Sequence, residues 1–344
     1  MSEPLEESTA PTLAEVAKLA NVSVASASRV LNGIGTRPET LTQVLAAAER
    51  VGYVPNASAR SLRSKRTGQI AFALPDVANP VYASMAGAIQ DVAQAHGWRL
   101  VLHSTGADAE AELGILRDLR RRFVDGLILI PLNVTEQHLL EFKRAAAPLV
   151  VIGSIPEDIA VDAVVADSRR GAALAVKHLH ATGRRCIGFV NGPLNTTPGH
   201  ERRLGYFDAL RATKHERDDT LVEAAEEFSV DAGRAATLRL LERAPIDGLF
   251  CANDLLAAGA LDALRQKGHK VPEEIAVVGM DNSGLVEITW PTLTSVDLGS
   301  GERARRAVEL LLERIEDPTR APVRVQVKAE LRVRASSGGR QGAT

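Results

Sequence analysis

The chain of 344 residues contains only two cysteines, Cys186 and Cys251. Neither belongs to a CxxC pair or a Cys/His cluster, and each sits in an apolar run that reads as a strand. Both are therefore expected to be reduced core thiols, not a disulfide or a metal pair. The sequence calls for no metal and no cofactor. Long apolar runs are missing as well, since nothing approaches the roughly 18 consecutive apolar residues of a membrane span. The opening MSEPLEESTAPT is acidic and lacks the basic-then-apolar order of a secretory signal. The expectation is a cytoplasmic protein that does not engage a membrane. Three catalytic fingerprints are absent too: no GxGxxG follows the first strand pattern, and there is neither a GxxxxGK[ST] phosphate loop nor a GxSxG nucleophile elbow. A cytoplasmic sugar-binding protein or sugar-modifying enzyme of α/β fold is thus the alternative reading, and the chain is not expected to be an enzyme.

What is present is unevenly distributed. The formal net charge is -2, yet residues 11–66 hold eight basic side chains against three acidic ones, leaving this segment at +5 and the remainder at -7. A basic head on an acidic body points to a polyanionic partner for the head alone.

In TLAEVAKLA the apolar residues Leu13, Val16, Ala17 and Ala20 follow the i, i+3, i+4, i+7 spacing of one helical face. Asn21 tolerates the left-handed conformation of a tight exit, and Ser23 is a good N-cap for the next segment. In that second helix Ala27, Val30 and Leu31 are expected to face inward, with Ala25 and Arg29 sharing the opposite face. Small inward residues let two helices cross closely, as in a helix-turn-helix unit. A third helix follows Pro38, with Leu41, Val44, Leu45, Ala48 and Val51 as its expected buried stripe.

The ordered motifs LAEVAKLANVSVASASRVLNG, RPET and GYVPNASARSLRS resemble the DNA-binding head of the LacI/GalR (lactose-repressor and galactose-repressor) family across residues 12–64. The resemblance implies a transcription regulator, most often a repressor, whose helix from Val24 enters the major groove of double-stranded DNA. Val24, Ala25 and Arg29 then occupy base-reading positions, and Ser28 holds phosphate. The chemistry fits: an arginine bonds bidentately to guanine, and a short apolar side chain sits against a thymine methyl. Arg37 departs from the family pattern, standing where a serine usually caps the third helix.

PNASARSLRSKRTG, residues 55–68, holds a short helix-compatible stretch inside a basic run. At eight or nine residues such a helix is too short to be stable alone in water and forms only when packed. By the resemblance two of these hinge helices, one per subunit of a homodimer, pair in the minor groove. Leu62 wedges a base step, and Asn56, Ala59, Arg60 and Arg63 complete the contact. Wedging costs a few kcal/mol of unstacking, offset by the contacts a bent duplex permits.

From residue 69 the rhythm changes to apolar runs (QIAFAL, RLVLHS, GLILIP, LVVIGS, CIGFVNG, GLFCAN, IAVVGM) alternating with helical stretches. This pattern implies an α/β body of two doubly wound parallel sheets. In such folds ligands bind beyond the carboxyl ends of strands. Polar residues collect there: Asp76, Asn79 and Tyr82; Thr197 and Arg202; Asn253; Asp281. The resemblance extends through these motifs, and to periplasmic sugar-binding proteins, as far as about residue 335. It implies an effector, expected to be a sugar, held between two lobes with Arg202 as the clamp and Phe228 stacking on the ligand. Phe228 reads equally well as a core residue.

The expected organisation is a disordered tail over 1–10, a helix-turn-helix domain over 11–56, and a hinge helix and linker over 57–68. An effector-binding and dimerisation body over 69–335 and a disordered tail over 336–344 complete it. Lobe one is expected over about 69–166 plus 297–325, lobe two over about 167–294 plus 326–335. Operator affinity is expected to depend on the effector, and the operator to be near-palindromic.

Overall fold

A computed structural model describes residues 11–32, 36–54, 66–214 and 216–338, which divide into a unit up to Gly68 and a unit from Gln69 onward. Among the described residues the first unit holds three helices, α1 (Leu13–Leu19), α2 (Val24–Leu31) and α3 (Pro38–Val51). Thr12 and Glu15 form a reciprocal capping box at the start of α1. Asn21 makes the exit at φ 50°, and Ser23 caps α2 through the amide of Ser26. Val16, Ala17, Ala20, Ala27, Val30, Val44, Ala47 and Ala48 form the core. The stripe expected on α3 is thereby corrected. Leu41 and Leu45 are exposed, and the small Ala47 takes the inward place, because short side chains let three helices approach closely enough to share one centre. Arg37 sits at the N-cap of α3 and offers no side-chain cap, as its departure from the usual serine implies.

The second unit carries two six-stranded sheets. The first has the order β11-β5-β4-β3-β1-β2, with β1 Gln69–Leu74, β2 Arg99–Ser104, β3 Gly126–Leu129, β4 Leu149–Ile152, β5 Asp162–Ala166 and β11 Arg324–Val327, all pairs parallel. The second has the order β12-β10-β9-β8-β6-β7, with β6 Ile187–Asn191, β7 Val222–Ala224, β8 Gly248–Cys251, β9 Ala276–Met280, β10 Thr294–Asp297 and β12 Glu330–Arg332. Here β12 pairs antiparallel with β10, so the second sheet is parallel-dominated and not wholly parallel. Only two residues, Lys328 and Ala329, separate β11 from β12. A direction reversal is the geometry open to a strand that enters the next sheet straight from the first.

Helices cover both sheets: α4 Pro80–Ala95, α5 Ala109–Arg120, α6 Glu136–Lys143 and α11 Ser300–Glu316 belong with the first, and α7 Ser168–Ala181, α8 Thr197–Ala212, α9 Val230–Arg243 and α10 Asp254–Gln266 with the second. The chain passes between the lobes three times, after β5, after β10 and after β11. These passages shift the expected boundaries: β10 stays in lobe two to Asp297, and lobe one keeps the chain to Val327. The tail expected from residue 336 does not begin there. Ser336 and Ser337 are buried, with Ser336 Oγ donating to the Val277 carbonyl at 2.6 Å and Ser337 Oγ 2.7 Å from both Thr294 Oγ1 and His178 Nε2. The expected tails at 1–10 and 339–344 lie outside the described residues.

Candidate functional site

Two places in the molecule gather the residues singled out above. In the first unit Val24, Ala25 and Arg29 are exposed on α2, with Ser28 half-buried beside them. The four share a helix whose opposite face, Ala27 and Val30, is fixed in the core. A rigid helix thus presents an arginine and two short apolar side chains outward. Asn56, Ala59, Arg60, Leu62 and Arg63 lie outside the described residues.

The second place is a cleft of about 760 Å³ in the body, lined from both sheets. Asp76, Asn79, Tyr82, Thr197, Arg202, Phe228, Asn253 and Asp281 all line it. Most are set by a position just past a strand or at a helix start, and Arg202 stands in the second turn of α8. Asn79 and Asn253 are the N-caps of α4 and α10, their side-chain oxygens accepting from the Val81 and Leu256 amides. Thr197 opens α8 and Asp76 turns the backbone by accepting from the Ala78 amide.

Arg202 and Asp281 form the floor. Arg202 Nη1 donates to the Ala252 carbonyl at 2.7 Å and Nη2 lies 3.6 Å from Asp281 Oδ1. Both residues are buried, and Arg202 Nε has no partner. A buried guanidinium with an unused donor is costly unless something else accepts from it. The Phe228 ring lies 5.8 Å from the Arg202 guanidinium carbon. That ring lies so close to Gly192 that a Cβ there would stand 2.1 Å from it. Phe228 therefore packs on the core of lobe two and faces the cleft at once. Asp281 adopts φ 103°, in the region that disfavours side chains, so its carboxylate is held in place at a backbone cost. Burial raises the Asp281 carboxyl above the usual carboxylate range and Asp297 adds to this, opposed by Arg202 and Arg303. Burial and the neighbouring Asp281 also raise the Tyr82 phenol.

Asp254, one residue beyond Asn253, does not belong to the cleft lining. Its carboxylate accepts from Ser283 N, Ser283 Oγ and Ser295 Oγ at 2.7, 2.9 and 2.6 Å, tying the start of α10 to β10 and to the segment after β9. Burial, then Asp281, pushes its carboxyl up to about 7 against those hydrogen bonds. Cys186 and Cys251 are both free, the first half-buried beside β6 and the second buried in β8.

The family model for bacterial regulatory proteins, lacI family, matches residues 12–56, and that for a periplasmic binding protein-like domain matches 176–337. The HTH-type transcriptional regulator CelR of Thermobifida fusca is 36% identical over 342 residues, covering 96% of this chain and 100% of that protein. The ribose operon repressor of Halalkalibacterium halodurans is 32% identical over 331 residues, covering 95% and 97%. The chain belongs to the lacI family of bacterial regulatory proteins. A solved CelR–cellobiose complex superposes with a TM-score of 0.72 at 34% identity, covering 95% of this chain and 99% of that one.

As a LacI-family member the chain is a transcription regulator and not an enzyme. Among its described helices none is long and apolar enough to cross a membrane. Sequence reasoning missed several groups that line the cleft of this LacI-family body, among them Arg303, Glu201 and Gln326. Arg303 and Gln326 belong to segments more than 20 residues beyond Asp281, where no turn-and-polar motif follows an apolar strand. Glu201 was next to Arg202, at the half-buried helical position before it.

Proposed function

We propose that this LacI-family regulator is a repressor that binds a near-palindromic operator as a homodimer and changes its operator affinity when a sugar enters the interlobe cleft. The observation that carries the reading is the convergence of eight residues from both lobes on one cleft whose floor is the Arg202–Asp281 pair. A cleft of about 760 Å³ lies within the usual range for small-molecule sites, with few polar groups aimed over an aromatic face. The relatives named for ribose and bound to cellobiose support a saccharide as the ligand class.

Dimerisation has its own support. Strand β2 is an edge strand exposed along most of its length, with Val101 and Leu102 uncovered, and Ile288 and Trp290 are strongly exposed. Edge strands and large exposed apolar side chains are normally covered. A two-fold dimer would set the two recognition helices on successive major-groove half-sites, with Arg29, Val24 and Ala25 reading bases and Ser28 on phosphate. Ligand in the cleft alters the angle between lobes, and with it whether hinge segments 57–68 pair; Leu62, Asn56, Ala59, Arg60 and Arg63 act at that step. The two affinities are then coupled reciprocally. The place of action is the cytoplasm.

The test is isothermal titration of the full chain with neutral saccharides, cellobiose and ribose first, followed by a gel shift on a palindromic duplex with and without the binder. The expected result is binding that Arg202→Ala abolishes, and a ligand-dependent change in duplex affinity. Unaltered titration in Arg202→Ala moves the ligand elsewhere, and indifference to duplex DNA at low salt removes the repressor reading.

A further inference from the structure

Among the cations of the cleft, Arg303 is one that neither the helix-turn-helix motif nor the strand-end motifs account for. Arg303 stands one turn into α11, and its neighbours Ala304, Ala307, Val308 and Leu311 are packed in the core of lobe one. Its backbone therefore moves with that lobe. Its side chain lines the cleft, where the charged and titratable groups facing it are Asp281, Asp297 and Arg202 of lobe two and Tyr82 of lobe one.

The hydrogen bonding of this guanidinium is incomplete. Nε donates to the Leu298 carbonyl at 3.1 Å, whereas the terminal nitrogens make no ion pair with a described carboxylate. Arg314 on the same helix differs: it is locked with Arg320 onto the buried Asp162 at 3.0 Å. A guanidinium offers five N–H donors in a fixed fork. Arg303 uses one of them, and its side chain lines the cleft. Arg202 and Asp281, 3.6 Å apart, line the same cleft from the other lobe, so guanidiniums of both lobes share it with that carboxylate.

We propose that Arg303 is an effector-reading residue, donating from lobe one to oxygens of an uncharged saccharide that Arg202 and Asp281 hold from lobe two. The proposal rests on the saccharide reading above. The ligand is uncharged because the cleft walls carry Asp76, Asp167, Glu201, Glu226 and Glu227, while the third arginine there, Arg169, is tied to Asp208 at 2.6 Å. Hydroxyl groups find acceptors on such walls; a phosphate is repelled by them. Because Arg303 and Asp281 sit on different lobes, a ligand touching both links the two sheets, and differential contact of this kind is what biases a lobe angle.

The experiment is isothermal titration of the full chain, Arg303→Met and Arg303→Lys with a panel of neutral mono- and disaccharides and with glucose 6-phosphate. The wild type is expected to bind a neutral saccharide and not the phosphate ester. Arg303→Met is expected to bind that saccharide about ten-fold or more weakly, and Arg303→Lys to fall between the two, since the charge remains but the fork is lost. Melting of the unliganded variants reports whether they fold. Affinity in a folded Arg303→Met within two-fold of the wild type overturns the role of Arg303. If that variant does not fold, wild-type affinity in Arg303→Lys overturns it. Preferential binding of glucose 6-phosphate overturns the uncharged class. Failure of every neutral saccharide to bind the wild type strikes the underlying saccharide reading instead.

Discussion

Replacing Asp254 with asparagine is expected to change how stability responds to pH. In the folded protein this carboxyl is pushed up to about 7 from an ordinary value of 3.8, first by burial and then by Asp281. Between those two values the native state holds a proton that the unfolded chain has lost. Stability contributed by the group therefore falls as pH rises through this window, and the loss is complete above about 7. A shift of about three units at 1.36 kcal/mol each amounts to roughly 4 kcal/mol in full, of which about 3 kcal/mol falls between pH 5 and pH 8. Asparagine is neutral throughout and keeps the local pattern: its carbonyl oxygen can accept from Ser283 N and Oγ, and its amide can donate to Ser295 Oγ. Urea unfolding of both proteins at the two pH values is a direct assay, because the only tryptophans, Trp98 and Trp290, lie in the body and report its unfolding. Relative to wild type, Asp254→Asn is expected to gain about 3 kcal/mol on going from pH 5 to pH 8. Identical pH responses, or a relative loss by the variant at high pH, would refute the reasoning.

Gly192→Ala forces the Phe228 ring away from its seat; saccharide affinity is expected to fall several-fold in titration, with about 1–3 kcal/mol of overpacking visible in urea. His138 and Glu112 are both buried, joined at 3.0 Å between α6 and α5. The Thr135 amide donates to His138 Nδ1, so the proton resides on Nε2 and points at Glu112. His138→Ala strands that carboxylate and is expected to cost about 3–5 kcal/mol in chemical denaturation, whereas exchanging both residues for apolar ones costs far less. Leu62→Ala is expected to weaken operator binding in a gel shift at fixed salt by about ten-fold or more while titration with saccharide is unaffected.

Much of this was legible in the order of residues because the signals are local. Asn21 and Ser23 mark the turn and cap of the head, and the seven apolar runs from QIAFAL to IAVVGM coincide with strands flanked by helices. The cleft residues could be found because parallel sheets put strand ends on one side, so a polar residue after an apolar run faces the same space as its counterparts. Short strands escaped for a complementary reason. Thr294–Asp297, Arg324–Val327 and Glu330–Arg332 span three or four residues with mixed polarity, and their place is decided by pairing partners distant in the chain. The same holds for Leu41 and Leu45, apolar on a helix too small to bury every apolar side chain, and for Ser336 and Ser337, whose composition suggests a loose end until Thr294, Val277 and His178 engage them. Arg303 was hidden because its place in the cleft depends on a helix returning to lobe one after an excursion of more than a hundred residues.

The threefold passage between sheets makes each lobe a patchwork. A chain cut after Asp297 would strip the first sheet of Arg324–Val327 and of the helix Ser300–Glu316, whose Val308 and Leu311 fill its centre. Neither half can thus be borrowed as a single cassette. A chimaera that exchanges one lobe with a relative needs three junctions.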